Sequence, residues 1–376
     1  MNHDICFVGL ENLPVLAREF NHLGAGGEQV QQTLLSRALV RRGYRVCMVV
    51  LDHGQADGAV WDGVTTFRAY RPEAGIGGLR FIHPRWTGIW SALSRANAST
   101  YYVSCAGMRV GLVAMFCCLR RRRLVFRTAS DSDCCPDRLL VSYARDRRLY
   151  EYGLRHADSI LTQSASQHTN MLLNYGHEST VAGMLVDAPE SAKDFADRDI
   201  DVLWVNNFQG LKRPDRFIDL ARRLPERHFV MIGGAGPGGQ QLFDSIKEQA
   251  ESCSNVTFLG RIPYHDVNEY YARAKVFVNT SDIEGFPNSY LQAWIRGVPV
   301  VTFIDPDDVI SRQNLGAAAR DPDGMYLAVR SLLADHALWT KASEDAKAFM
   351  ASEFDESAIL RPYLDAMRLE AGVPAS

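Results

Sequence analysis

Lysine is absent from the first 190 residues. Their 21 basic side chains are all arginine, against 17 acidic ones, a balance of +4; the rest of the chain holds 20 basic and 27 acidic side chains, or −7. The net charge of −3 argues against a dedicated nucleic-acid binder, although the arginine surplus of the first half suits an anionic partner. Long apolar runs are missing too. The longest, Gly111 to Leu119, is far too short to span a bilayer. The N-terminal MNHDICFVGL has neither a basic n-region nor a long apolar h-region, so no signal peptide is read there. The eight cysteines contain no CxxC pair, which leaves no zinc-ribbon spacing; reduced thiols in a cytoplasmic protein are expected. No internal sequence repeat is found.

What is present is an α/β pattern, written twice. With 376 residues, 47% hydrophobic and 23% charged, the chain can build two domains, each with its own core. The first series begins with a strand at 4–9 and a glycine-rich loop, His22 to Glu28. A helix over 28–42 follows, with Val30, Leu34, Leu35, Ala38 and Leu39 at helical spacing, and then a strand at 44–51. Strands are predicted at 64–70, 100–104, 124–128, 159–162 and 180–185, and helices at 89–96, 110–123, 138–156 and 166–175. Residues 71–88, rich in Gly and Pro, read as a loop or lid. The polar stretch 187–201 is the linker signal. The second series predicts strands at 202–205, 229–232 and 255–259, helices at 215–223, 240–251 and 266–273, and later helices at 324–334, 340–352 and 356–370. The expectation is a parallel α/β fold with domains 1–188 and 199–354 and a terminal segment 355–376.

The most informative stretch is FVNTSDIEGFPNSYLQAWIRGVPVV, residues 277–301. It reads as buried strand, turn, helix (290–296) and buried strand (298–303). A glycine beside a helix start admits a ligand to free N–H groups, a setting suited to phosphate, and Glu284 stands just before it. Two further glycine loops follow strands, Gly24 to Gly27 and Gly233 to Gly239; neither has a nicotinamide fingerprint, and each also fits a plain strand-to-helix turn. Lys212 opens a helix after a strand, where an ammonium reaches a diphosphate or simply stays solvated.

These residues resemble glycosyltransferase family four, retaining enzymes of the GT-B fold with two facing Rossmann-like domains and an interdomain cleft. The resemblance is carried by Gly26-Gly27-Glu28, by His156 to Ser164, by Lys212-Arg213-Pro214 and by Glu284-Gly285-Phe286-Pro287-Asn288. It implies that Glu284 binds the donor sugar's hydroxyls and that Gly285, Phe286, Pro287, Asn288 and Ser289 line sugar and diphosphate. It implies that Lys212 neutralises the leaving diphosphate without a metal ion, and that Gly26 and Gly27 close over the phosphate. Gly234 falls in the donor-side glycine loop. The terminal helix is expected to cross back to the first domain. Two positions depart from the family pattern: Gln292 stands where a ribose-binding Glu is usual, and Asn207 where an Arg is usual, with Arg213 as its substitute.

The implied activity is retaining, metal-independent transfer of a sugar from a UDP- or GDP-linked donor, with no cofactor, to a saccharide or lipid-linked saccharide. Cell-surface polysaccharide synthesis is the expected setting, in the cytoplasm or at the inner face of the membrane. Asp131 is the candidate acceptor-orienting base in the first domain, with Asp133 beside it and helix capping as the alternative. Arg120 to Arg123 either serve a helix C-terminus or meet anionic lipid. The competing readings are a nucleotide-sugar epimerase and a degenerate homologue that binds a nucleotide sugar or a partner enzyme.

Overall fold

The computed structural model describes residues 2–187, 193–236 and 238–369. Residues 188–192 of the expected linker, Pro237 of the second glycine loop and residue 370 of the expected terminal helix lie outside the described residues. The chain divides into two compact units, Met1–Leu185 with Glu356–Ser376, and Val186–Asp355.

The first unit runs β1 (His3–Val8), α1 (Leu13–Leu16), α2 (Gly27–Arg41), β2 (Val46–Val50), β3 (Val60–Trp61), β4 (Val64–Arg68), α3 (Thr87–Ala96) and β5 (Ala98–Ser104). It continues with α4 (Met108–Arg120), β6 (Arg123–Arg127), α5 (Ala144–His156), β7 (Ser159–Thr162), α6 (Ala165–Tyr175) and β8 (Thr180–Val181). Among the described residues its strands lie in the order β3-β4-β2-β1-β5-β6-β7-β8 and are parallel except for the β3–β4 pair. Ile5 of β1 faces Val46 of β2 on one side and Thr100 of β5 on the other. Parallel strands need crossover helices, which cover both faces of the sheet; β2, VCMVV, is accordingly buried along its whole length. Helices α4 and α5 cross closely at two glycines. A Cβ on Gly111 would stand 2.2 Å from the Leu149 carbonyl oxygen, and one on Gly153 2.6 Å from Val110.

The second unit runs β9 (Ile200–Val205), α7 (Pro214–Arg223), β10 (Phe229–Ile232), α8 (Gln240–Glu251), β11 (Val256–Gly260), α9 (Tyr264–Arg273) and β12 (Ala274–Asn279). Then come α10 (Asn288–Trp294), β13 (Val300–Thr302), α11 (Val309–Gln313), β14 (Gly316–Ala318), α12 (Pro322–Ala334) and α13 (His336–Glu353). Its parallel sheet has the order β11-β10-β9-β12-β13-β14. Trp204, Phe208, Phe217 and Phe229 form an aromatic cluster in its core. The last helix, α14 (Glu356–Met367), belongs to the first unit. Tyr363 donates to the Gly183 carbonyl at 2.7 Å, and Arg123 donates to that of Ala366 at 2.6 Å.

The α/β class and the two parallel sheets agree with the sequence. Several boundaries do not. The helix expected from residue 138 starts at Ala144. Before it, Leu139 and Val141 point into the core while Leu140 and Ser142 face outward, an alternation that only extended chain produces. The strand expected over 180–185 stops at Val181, because Leu185 spends its backbone N–H and C=O on the side chain of Gln31. The helix expected over 290–296 spans Asn288–Trp294, and Gly297, at φ 65°, ends the turn that follows it. Residues 71–88 contain short helical turns within Phe81–Trp86, interrupted at His83, whose backbone is extended (φ −127°, ψ 124°). The short elements α1, β3, α11 and β14 were not anticipated.

Candidate active site

In the second unit, β10, β9 and β12 are neighbours and run parallel, so the loops leaving their C-terminal ends share one sheet edge. Ligand sites of open α/β sheets gather at this edge. The loop after β9 carries Asn207, Lys212 and Arg213; Asn279 ends β12, the loop after it runs from Thr280 to Pro287, and Asn288 and Ser289 open α10. Lys212 and Glu284, 72 residues apart, meet here: Lys212 Nζ donates to Glu284 Oε2 at 2.7 Å. Both side chains are mostly buried, 19% and 11% exposed. Glu284 Oε1 accepts from Ser281 Oγ at 2.6 Å and from Asn279 Nδ2 at 3.2 Å. The carboxylate is thus held by three donors, two of them neutral.

The frame beneath is equally specific. Thr280 Oγ1 donates to the Lys212 carbonyl and accepts from Trp204 Nε1, tying both loops to the core. Asp282 N–H donates to the Leu211 carbonyl at 2.8 Å. Asn279 and Ser281 are not among the site residues that the sequence singles out. Their signal was an Asx turn, in which Ser281 N–H donates to Asn279 Oδ1 at 2.8 Å.

Arg213 adopts a left-handed backbone, φ 47°, and its guanidinium pairs with Asp215 at 2.7 Å and Asp282 at 3.6 Å. That hydrogen bond holds the Asp215 carboxyl below its usual range. Arg213 therefore fastens the loop in this structure. Asn207 lies at the turn after β9, its N–H bonded to Asn206 Oδ1. Gly234 lies under the Arg261 side chain, 2.4 Å from where its Cβ would be, and its carbonyl accepts from Phe208 N–H. A Cβ on neighbouring Gly233 would meet the Asn206 carbonyl oxygen at 1.8 Å, so close packing of the two loops is reason enough for glycine there. Gly285, Phe286 and Pro287 form the turn into α10, which opens with Asn288 and Ser289. Gln292 is buried on α10, and its Oε1 accepts from Arg296 Nη1 at 2.8 Å. Burial pulls the basicity of Arg296 down.

The first unit holds the other candidates. Gly26 caps α2, its N–H donating to Gln29 Oε1 at 2.9 Å, and Gly27 is the first helical residue. Glu28 sits 3.4 Å from Arg127, which is fully buried on β6; burial raises the Glu28 pKa and Arg127 opposes the rise. Asp131 accepts from Gln167 Nε2 at 2.8 Å. Asp133 is buried, accepts from Ala129 N–H at 2.8 Å, and is pushed up to about 6 by desolvation. Ser130 caps this turn through its hydroxyl, which accepts from Ser132 N–H, and Asp133 ties the chain ahead of it. Arg121, Arg122 and Arg123 line a cavity of about 530 Å³ with Arg368, Asp4 and Asp158. Since Arg123 begins β6, this cavity lies at the sheet edge opposite to the glycine loop.

Known proteins resemble the chain in sequence over the second unit and in fold more widely. Residues 199–335, most of the second unit, match the family described as Glycosyl transferases group 1. The chain is 31% identical over 101 residues to the O-antigen biosynthesis glycosyltransferase WbnH of Escherichia coli, covering 27% of each chain. Sucrose-phosphate synthase of Thermosynechococcus elongatus superposes over 97% of this chain and 98% of its own, with TM-score 0.77 and 16% identity. Anabaena HepE, solved with UDP and glucose, superposes over 97% and 99% with TM-score 0.72 and 16% identity. The likeness to these solved structures runs over almost the whole chain and is one of fold; the match to the Glycosyl transferases group 1 family lies in the second unit, residues 199–335.

Proposed function

We propose that the chain transfers a sugar from a nucleotide-sugar donor to a saccharide or glycolipid acceptor, with retention of anomeric configuration. The reading rests on one observation above all: the Lys212–Glu284 pair at the adjoining ends of β9 and β12, inside the family match. Glu284 has the orientation and the fixed charge to accept hydrogen bonds from donor-sugar hydroxyls. When a donor enters, the Lys212 ammonium moves its contact to the diphosphate and stabilises the charge that builds up on the leaving group. Ser281 and Asn279 keep the carboxylate in place while Lys212 is so engaged. The leaving diphosphate guides the acceptor to the face it departs from, which gives retention, and no metal ion is needed. The solved HepE complex, with UDP and glucose, supports UDP as the first nucleotide to try. The first unit takes the acceptor, on the cytoplasmic side of a membrane.

The test is incubation with UDP-, GDP- and ADP-sugars, following nucleoside diphosphate release and the anomeric configuration of the product. Release that disappears in Glu284→Ala, with the fold intact, supports the reading. Epimerised donor without transfer, or full activity in the variant, overturns it.

A further inference from the structure

The first unit has an unassigned surface at the sheet edge that carries its strand C-termini. Two segments overhang it, 71–86 after β4 and 136–148 after β6. These strands are four spacings apart, about 19 Å, yet the segments touch. The Arg145 guanidinium lies 3.5 Å from the centre of the Phe81 ring and 5.8 Å from that of Tyr143. Together they leave Ile76, Leu79, Ile82, Leu140 and Tyr143 exposed, each by 59% or more. Soluble surfaces rarely gather large apolar side chains in this way unless something covers them.

The charge around them is one-sided. Residues 71–86 and 136–148 contain seven arginines and three acidic residues, a balance of +4. A second copy of the chain on this face would set +4 against +4, whereas an anionic surface complements it. Guanidinium groups also bind phosphate in bidentate fashion, which suits a headgroup layer. Tyr70, which precedes the first of these segments, stands within electrostatic reach of Arg85, Arg109, Glu11 and Arg80. Arg85 Nε is buried without a hydrogen-bond partner among the described residues. Gly26, Gly27 and Asp131 follow strands that end at this same edge.

We infer that this surface docks the protein on an anionic bilayer, with Ile76, Leu79, Ile82, Leu140 and Tyr143 entering the headgroup boundary. The acceptor is then an amphiphile drawn from that bilayer, a sugar joined to lipid through an anionic linkage that meets Arg85 and Arg109. The acceptor assignment rests on the transferase reading above; the bilayer contact does not.

The experiment is flotation of the full chain with vesicles of phosphatidylglycerol and phosphatidylcholine, or of phosphatidylcholine alone. It compares wild type with Ile76→Glu/Leu79→Glu/Ile82→Glu and with the purely electrostatic Arg138→Glu/Arg148→Glu. Wild type floats with the anionic vesicles and is released by salt. Each variant binds at least about tenfold more weakly, while thermal shifts with nucleoside diphosphates stay as in wild type. Three results overturn the inference: wild type that ignores anionic vesicles, variants that float equally well, or a wild-type dimer that the triple substitution splits. Flotation as described with no nucleotide shift in any form would sink the donor reading and leave the docking surface standing.

Discussion

Replacing Lys212 by Met separates the structural role of the Lys212–Glu284 pair from its chemical one. Unit charges about 4 Å apart attract by about 4 kcal/mol at an effective dielectric near 20. Removing one partner of a buried pair typically costs about 3–5 kcal/mol, because the other charge is left uncompensated. Here the lower end applies. The two side chains retain 19% and 11% exposure, and Ser281 and Asn279 still donate to the carboxylate. Lys212→Met should therefore destabilise the protein by about 3 kcal/mol in urea denaturation. In Lys212→Met/Glu284→Gln the stranded charge is gone, and the loss should shrink to about 1 kcal/mol, about 2 kcal/mol less than in Lys212→Met alone. Activity should not follow stability. Both single variants should release nucleoside diphosphate about a hundredfold more slowly, as expected when a charge-stabilising group is lost, and the double variant should be no better. A lysine variant within about 0.5 kcal/mol of wild type would show the pair behaving as a surface ion pair. A double variant that regained activity would refute the chemical assignment of both residues.

Four further outcomes are expected. Gly233→Ala forces a methyl against the Asn206 carbonyl oxygen, 1.8 Å away, and should cost about 2 kcal/mol with weakened nucleotide binding, read by thermal shift. Thr280→Val strands the Trp204 indole N–H and frees the Lys212 carbonyl; a loss of about 2 kcal/mol and a lower kcat are expected, by denaturation and nucleotide release. Gln292→Glu gives buried Arg296 a counter-charge at 2.8 Å; charge-assisted bonding should stabilise by about 1 kcal/mol, and the KM for donor shows whether position 292 also meets the ribose. Asp133 titrates at about 6 against an ordinary 3.8. Because its folded value is raised, its contribution is present in full below 3.8 and is lost as pH rises through 6. Wild type should therefore lose about 2 kcal/mol relative to Asp133→Asn between pH 4 and 7, measured by urea denaturation at each pH.

Alternation of apolar runs with amphipathic helices was enough to specify two parallel sheets, because a strand buried on both faces and a helix buried on one leave different periods in the chain. The Glu284 stretch and Lys212 were visible for a related reason: turn and cap residues at the end of an apolar run have few other uses. Short elements such as α11 and β14 were not visible, since a few residues cannot sustain a period. Nor could the sequence say that Lys212 rests on Glu284, that Arg213 is spent on Asp215 and Asp282, or that Gln292 faces Arg296. The contacts of Lys212 with Glu284 and of Arg213 with Asp282 depend on which strands become neighbours. The β10-β9-β12 order is settled by packing of the whole sheet, and only that order brings residues 72 apart to 2.7 Å.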